Sequence, residues 1–577
     1  MAGMMAAYAP VLRGVATLRG YRRQWLAGDL TAGITVAAYL IPQVMAYAGV
    51  AGLPPVAGLW AALPPLACYA LLGSSRLVSL GPESTTALMT AVAIGPLASG
   101  DPARYAALAA TLALLTGALA VLAWLVRLGF VADLLSRPVV VGYLTGVAFI
   151  MIAGQLGRLT GVHVSGESFA AEVTSFARQA AGARLGDTAI AVTVVVFLFA
   201  ARAWWPRLPG PLAAVLLSTA VCAIFGLGEH GVALAGQIPA GLPRPGIPAL
   251  SAHDLRELAL PALSVLLVAF SDDVLTGRAF ERGGETIDAN AELLALGVSN
   301  AGASLFRGFP ISSSGSRTAI ALTAGARTQV YSLTALASII GVLLFGRPVL
   351  AVFPLAALAG IVVYAAINLV DVRAFRQLAA FRRREFLLAL SACVGVLAFN
   401  ILYGVLTAVA LSVAELLLRV GRPHDAILGV VPGLSGMHDI DDYPRAQTIP
   451  GLVVYRYDAP LFFANAQDFR RRAIAAASQA SPPARWFVLN TEANVEVDYT
   501  ALEAVEAVRA ELTGRGVIVA LARVKQDLLD DLEAFGLAQK IGPQLIFPTL
   551  PTAVAAYRQW VSEHPQPDRD RHRRRPA

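Results

Sequence analysis

From about residue 25 to 420 the chain is a succession of apolar runs, most close to twenty residues long and separated by short polar breaks. A helix of about twenty apolar residues spans the roughly 30 Å hydrocarbon core of a bilayer. The clear runs are 29–50, 54–72, 104–127, 131–156, 187–204, 210–228, 258–277, 329–347, 350–370, 385–400 and 402–419. Three more stretches, 82–98, 288–306 and 314–326, are shorter or more polar; counting them, the pattern predicts fourteen spans. Past about residue 425 the pattern changes to short strand-like and helix-like segments of ordinary charge. The chain therefore divides into an N-terminal segment (1–27), a membrane unit (28–420), a linker (421–448), a soluble α/β domain (449–560) and a basic tail (561–577).

Composition agrees with a membrane reading. Apolar residues make up 56% of the chain and charged ones 14%, where soluble domains are near a quarter charged. The net charge of +7 does not point to nucleic acid, because the arginines gather at span ends. Arg76, Arg127, Arg207, Arg278, Arg282 and the cluster from Arg373 to Arg384 would all face the cytoplasm under the positive-inside rule. An even number of spans puts both termini there, in a cell inner membrane. Arg13, Arg19, Arg22 and Arg23 precede the first span, which argues against a cleaved signal. The tail from Arg569 to Arg575 reads as a solvated charge run or a contact with anionic lipid. Cys68, Cys222 and Cys393 have neither metal spacing nor a disulfide framework. There is no metal triad, nucleophile–base pair or phosphate loop, so the chain does not read as an enzyme and implies no cofactor.

Two of the polar stretches share a design. Residues 76–88 and 305–320 each run from a short extended apolar piece through a proline to a Ser/Thr-rich helix start, about 230 residues apart. The same offset separates Asp29 from Leu258, where the first and eighth spans begin. This predicts two repeats of seven spans, inverted because seven is odd. Interrupted helices at matching positions of inverted repeats mark a transporter site. A half-helix starting in mid-membrane has unpaired N–H groups and the positive end of its dipole. Two such ends facing each other suit an anion.

At these residues the chain resembles the SulP/SLC26 anion transporter family. The match runs from Gly28-Asp-Leu-Thr-Ala-Gly33 through Leu40-Ile-Pro-Gln-Val-Met-Ala-Tyr-Ala48 and Ala51-Gly-Leu-Pro-Pro-Val-Ala-Gly-Leu-Trp60. Gly73-Ser-Ser-Arg76 and Gly81-Pro82 continue it, followed by Ser316-Arg317-Thr-Ala319 and Gly325-Ala-Arg-Thr-Gln329. Within the family it is most similar to actinobacterial members described as sulfate transporters. The resemblance implies a fourteen-span, seven-plus-seven inverted repeat. It also implies a core domain (spans 1–4 and 8–11), a gate domain (spans 5–7 and 12–14), an elevator-type motion and a homodimer. The anion would sit between the starts of spans 3 and 10, beside span 1.

The resemblance puts Gln43 and Tyr47, four apart and so on one helix face, at the anion pocket. Glu83 and Ser84 begin span 3; Ser313, Ser314, Gly315, Ser316 and Arg317 begin span 10. Arginine at membrane depth is costly and functional by default; it would strengthen the field at the anion or pair with an acid. Glu83 departs from the family, whose pocket carries an uncharged residue there. Protonated, it would be neutral and could donate a hydrogen bond, the signature of proton symport; otherwise it is an N-cap. Asp272, Asp273 and Thr276 in span 8 resemble residues that help bind sodium in the family's bicarbonate branch, or have a structural role. Sulfate with protons, bicarbonate with sodium, and passive exchange or a channel stay open. A nucleobase symporter of the same fold is disfavoured by Ser316-Arg317 and by the soluble domain.

That soluble domain resembles STAS domains through its α/β order, Asp498-Tyr-Thr500 and Phe535-Gly-Leu537. Tyr499 stands where anti-sigma-factor antagonists carry a phosphorylated serine, so that switch is not implied here. The neighbouring Thr500 is the alternative position for a modification.

Overall fold

The computed structural model describes residues 20–564 apart from 99, 135, 165–167, 206–207, 237–240, 250 and 282–285. Arg13, Arg19, Arg207, Arg282 and residues 565–577 of the basic tail lie outside the described residues. The chain forms two compact units, Met1–Ser412 and Val413–Ala577.

The first unit is helical. Its first repeat comprises α1 (Leu26–Val50), α2 (Pro55–Leu72), strand β1 (Leu80–Gly81), α3 (Ser84–Ile94), α4 (Pro102–Leu125), α5 (Arg137–Thr160), α6 (Phe169–Gln179), α7 (Leu185–Trp204) and α8 (Gly210–Ile224). Its second comprises α9 (Ala252–Ala279), α10 (Ala289–Leu305), β2 (Ser312–Ser313), α11 (Gly315–Thr323), α12 (Val330–Phe345), α13 (Arg347–Ala351), α14 (Leu355–Leu369), α15 (Val372–Phe381) and α16 (Arg383–Gly421). Helices α6 and α15 are amphipathic additions between the spans. Span five starts at Arg137 and not at 131, because Pro138 occupies the first turn, where its missing N–H costs nothing, and residues Leu128–Leu134 form a 3-10 turn.

Two expected spans, 385–400 and 402–419, fall within α16. The helix cannot be straight: a Cβ on Gly404 would lie 2.7 Å from the Val396 Cα, whereas eight residues along a straight helix span about 12 Å. It folds back on itself, and the two limbs complete seven spans in the second repeat.

The repeats are interlocked. The fully buried carboxylate of Asp29, in the first turn of α1, accepts hydrogen bonds from Arg327 N (2.6 Å), Thr328 N (3.1 Å) and Thr328 Oγ1 (2.7 Å), just after α11. Asp254, in the first turn of α9, pairs with Arg104 of α4 at 3.0 Å, shortly after α3. Each repeat's first helix is thus tied to the chain that follows, or nearly follows, the other's half-helix. Small residues bring the repeats close. At the crossing of α4 and α10, a Cβ on Gly117 would lie 2.7 Å from Gly297 O, and one on Gly297 would lie 2.9 Å from Gly117 O.

The second unit is a six-stranded sheet of order β4-β3-β5-β6-β7-β8. Its strands are β3 (Asp425–Val430), β4 (Met437–Asp439), β5 (Leu452–Tyr457), β6 (Trp486–Asn490), β7 (Ile518–Ala522) and β8 (Ile546–Phe547). From β5 to β8 the pairing is parallel, and β3 joins β5 antiparallel. Helices α17 (Ala466–Ser478), α18 (Tyr499–Gly514), α19 (Gln526–Ala534) and α20 (Leu537–Ile541) cover one face, and α21 (Leu550–Glu563) the other. Residues 421–448, expected as a linker, instead supply β3 and β4. Buried Ala426 and Leu428 give β3 an apolar face, which a free linker would leave in water.

Candidate functional site

Helices α3 and α11 hold 11 and 9 residues, about 17 and 14 Å, half a bilayer each. The extended chain before each is buried, and its backbone needs partners. The two pieces partly supply each other: β1 and β2 pair antiparallel, Leu80 with Ser313 and Gly81 with Ser312. Side chains of the second repeat hold the rest. Gln329 Nε2 donates to Ser75 O (3.1 Å) and Val78 O (2.9 Å), and the Tyr331 hydroxyl donates to Leu77 O (2.8 Å). Asn300 Oδ1 accepts from Ile311 N at 2.9 Å.

The two helix starts are capped differently. Glu83 is the N-cap of α3, its carboxylate accepting from Thr85 N at 3.1 Å and from the Ser84 hydroxyl. Ser314 is the N-cap of α11, but its side chain caps no N–H; its hydroxyl lies 3.1 Å from that of Ser316. The first-turn N–H groups of α11 are therefore available to a ligand.

Both starts open on a cavity of about 1100 Å³. Gln43, Tyr47, Glu83, Ser84, Ser313, Ser314, Gly315 and Ser316, all singled out from the sequence, line it. Arg317 stands behind the lining with no exposed surface. It donates to Pro82 O (2.9 Å), Gln43 Oε1 (3.3 Å) and Ser79 Oγ (3.3 Å). Gln43 Nε2 in turn donates to the Tyr47 hydroxyl at 3.0 Å, so the arginine, amide and phenol form one chain. Arg317 Nη2 and Ser313 Oγ are buried without a hydrogen-bond partner among the described residues. No carboxylate among the described residues hydrogen-bonds Arg317, so the expected alternative of an acidic partner is not found. A Cβ on Gly81 would lie 3.4 Å from Nη2, and glycine there gives the guanidinium room.

Asp272 and Thr276 also line the cavity; Asp273, grouped with them on sequence, does not. Neighbours on a helix leave it about 100° apart, and Asp273 is turned into the protein.

Thr31, Thr35 and Tyr39 line the cavity as well and escaped the sequence reading. With Gln43 and Tyr47 they form a row at intervals of four, a stripe that winds slowly around α1, and that spacing was the available signal. Arg202, Trp205 and Asn368 lie among the lining residues too, with the Arg202 guanidinium donating to the Asn368 side-chain oxygen. Nothing in their local sequence marks them.

Comparison with known proteins follows the same division of the chain. The model described as “Sulfate permease family” matches residues 26–392, and that of the “STAS domain” residues 443–553. The “Probable sulfate transporter Rv1739c” of Mycobacterium tuberculosis (strain ATCC 25618 / H37Rv) is 56% identical over 555 residues, 96% of this chain and 99% of that protein. “Sulfate transporter 3.1” of Arabidopsis thaliana is 28% identical over 93% of this chain and 85% of its own. The solved structure of SLC26A9 superposes with a TM-score of 0.90 at 21% identity, covering 98% of this chain and 95% of that one. The transmembrane domain of the cyanobacterial bicarbonate transporter BicA gives 0.59 at 23% identity, covering 68% and 98%. At these identities the structural likenesses speak to fold alone.

Proposed function

The chain belongs to the sulfate permease family and is a multi-pass membrane transporter of anions, and on that premise we propose that it carries sulfate in symport with protons, with Glu83 as the proton acceptor. The observation that carries this reading is the meeting of two half-helix N-termini at one cavity, with the buried Arg317 behind them. Unpaired N–H groups, serine hydroxyls and a guanidinium can replace the water shell of a tetrahedral oxyanion.

Charge supports the proton. Glu83 and Asp272 share this part of the cavity, with Arg317 buried behind Glu83. Two carboxylates beside a doubly charged anion repel it. A proton on Glu83 removes one of those charges, and the resulting hydroxyl can donate to the anion while the second oxygen still accepts from Thr85 N. The cap and the coupling role are compatible.

The cavity also supports the reading of how the anion moves. One wall comes from α1, α3, α9 and α11, the proposed core; the other from α5, α7, α8 and α14, the proposed gate. A site between two bundles changes exposure when one slides against the other. Thr31, in the second turn of α1, and Pro209–Gly210, at the start of α8, are also among the lining residues.

A second reading has its own observation: Asp272 and Thr276, four residues apart on α9, both face the cavity, oxygen ligands that a sodium ion accompanying bicarbonate would use. Uptake of labelled sulfate and bicarbonate into proteoliposomes decides between them. Sulfate uptake driven by an inward proton gradient, with the proton dependence lost in Glu83→Gln, is the expected result. Bicarbonate uptake driven by sodium and abolished in Asp272→Asn would replace it with the second reading.

A further inference from the structure

The connection from α14 to α16 is strongly basic. Residues 371–385 hold five arginines, Arg373, Arg376, Arg382, Arg383 and Arg384, against two acids, Asp371 and Glu385. Asp371 is engaged as the N-cap of α15, its carboxylate accepting from Ala374 N at 2.8 Å. The backbone leaves the helical region at both ends of α15, at Val370 and Asp371 before it and at Arg382 after it. Helix α15 is therefore a separate segment of 10 residues, about 15 Å long, with both ends tied to spans on one face of the membrane. It is also two-sided. Residues leave a helix about 100° apart, which puts Arg373, Arg376 and Gln377 on one face and Val372, Ala374, Phe375 and Leu378 on the other. Part of the apolar face is covered by protein: Ala374 is buried, and Phe375 meets Phe386 of α16 edge to face with ring centroids 6.3 Å apart. Val372 and Phe381 stay 52% and 68% exposed. The arginines are exposed as well.

Two features of this segment call for a negative partner. An amphipathic helix held at a membrane surface sets its apolar face toward the acyl chains and its cations among the headgroups. Arg382, Arg383 and Arg384 stand at the start of α16, where the helix dipole is positive and repels cations. Among the described residues none of these arginines is paired with a carboxylate; Arg382 instead lies 5.1 Å over the Phe381 ring. A phosphate at the start of α16 would accept from first-turn N–H groups and from guanidinium forks together. We propose that Arg373, Arg376, Arg382, Arg383 and Arg384 form a binding site for the phosphate headgroup of an anionic phospholipid, with Val372 and Phe381 against its acyl chains. The occupant is a lipid because exposed apolar side chains adjoin the arginines and the segment cannot leave the membrane surface. Leu369, at the end of α14, lines the anion cavity, so a headgroup held here ties that wall of the cavity to the leaflet. Setting the orientation of the spans also uses positive charge, but it requires no bound lipid. The inference does not depend on which anion or coupling ion is carried.

Native mass spectrometry of the purified full-length protein in detergent, titrated with phosphatidylglycerol or with phosphatidylcholine of the same acyl chains, tests it. Wild type is expected to retain phosphatidylglycerol at lower lipid concentration than phosphatidylcholine. The double variant Arg373→Gln/Arg376→Gln and the triple variant Arg382→Gln/Arg383→Gln/Arg384→Gln should each weaken the phosphatidylglycerol adduct by on the order of tenfold or more, since one arginine at an anionic surface contributes about fivefold. Lysine at the same positions should restore most of that loss, which a packing role of the guanidinium would not allow. Phosphatidylcholine adducts should be unchanged throughout, a check that the variants fold. Glutamine at the tail arginines Arg569, Arg571, Arg573, Arg574 and Arg575 should leave the phosphatidylglycerol adduct as it is. Equal retention of the two lipids by wild type, an adduct unchanged in both α15 variants, or one lost only in the tail variant overturns the proposal. So does displacement of the lipid by excess glycerophosphate, which would make this a site for soluble phosphate. The lipid comparison and the displacement need no variant, and no readout is uptake, so a failure here is distinct from a failure of the transport reading.

Discussion

Arg317 is held by three hydrogen bonds that run in different directions, to a backbone carbonyl, a hydroxyl and an amide oxygen. Lysine has the charge but not the planar fork, and from one ammonium it cannot reach all three. Arg317→Lys is expected to raise the KM for sulfate by on the order of tenfold, equivalent to about 1.4 kcal/mol, measured by concentration-dependent uptake into proteoliposomes. An unchanged KM would mean that the guanidinium only supports the extended segment at Pro82. At this scale the sequence was informative wherever a motif carried the residue: Gln43 and Ser316, singled out that way, line one cavity, and Arg317 bonds Gln43 behind it. It was uninformative where direction mattered. Asp272 and Asp273 are the same residue type side by side, and only the phase of α9 sends one to the cavity and the other into the protein.

At the scale of elements, the repeats depend on close helix crossings. Gly297 sits where a Cβ would meet Val121 Cγ2 at 2.8 Å and Gly117 O at 2.9 Å. The second neighbour is backbone and cannot rotate away, so a methyl forces α4 and α10 apart. Overpacking of this kind costs about 1–3 kcal/mol. Gly297→Ala is expected to lower the thermal unfolding midpoint of the detergent-solubilised protein by several degrees, while Gly341→Ala, where a Cβ meets nothing within 4 Å, leaves it unchanged. Equal midpoints would mean that the crossing relaxes freely. Hydrophobic run length was enough to find the spans, and the polar interruptions were enough to find α3 and α11. It could not tell that α16 folds back with Gly404 close against Val396, because helical propensity continues through the bend.

The molecule as a whole consists of two units with separate cores. The boundary between the soluble unit and its expected linker is open to a direct test. Strand β3 covers the edge of β5, and its Asp425 binds the Tyr455 hydroxyl at 2.8 Å and also pairs with Arg472. A fragment of residues 422–564 is expected to unfold cooperatively in urea and to remain monomeric. A fragment starting at 449 exposes β5 as an unprotected edge and is expected to aggregate or to unfold at lower urea, as read by size-exclusion chromatography and circular dichroism. If the shorter fragment is equally stable, β3 and β4 are an appendage and not part of the domain. The strands looked like linker because β4 is only three residues long and a Pro432-Gly433 turn precedes it.

Local pattern was sufficient for what depends on solvent: apolar runs must be buried in lipid, charged segments must leave it, and a proline followed by serines must interrupt a membrane helix. The two-repeat plan and the two interrupted helix starts follow from those constraints along the chain alone. Which residues meet is a different matter, because it depends on helix phase and on contacts between positions more than two hundred residues apart. Asp29 with Thr328, Gln329 with Val78 and Ser74 with Glu292 are such contacts. No local signal encodes them; the folded arrangement of the two repeats decided them, and with them the cavity.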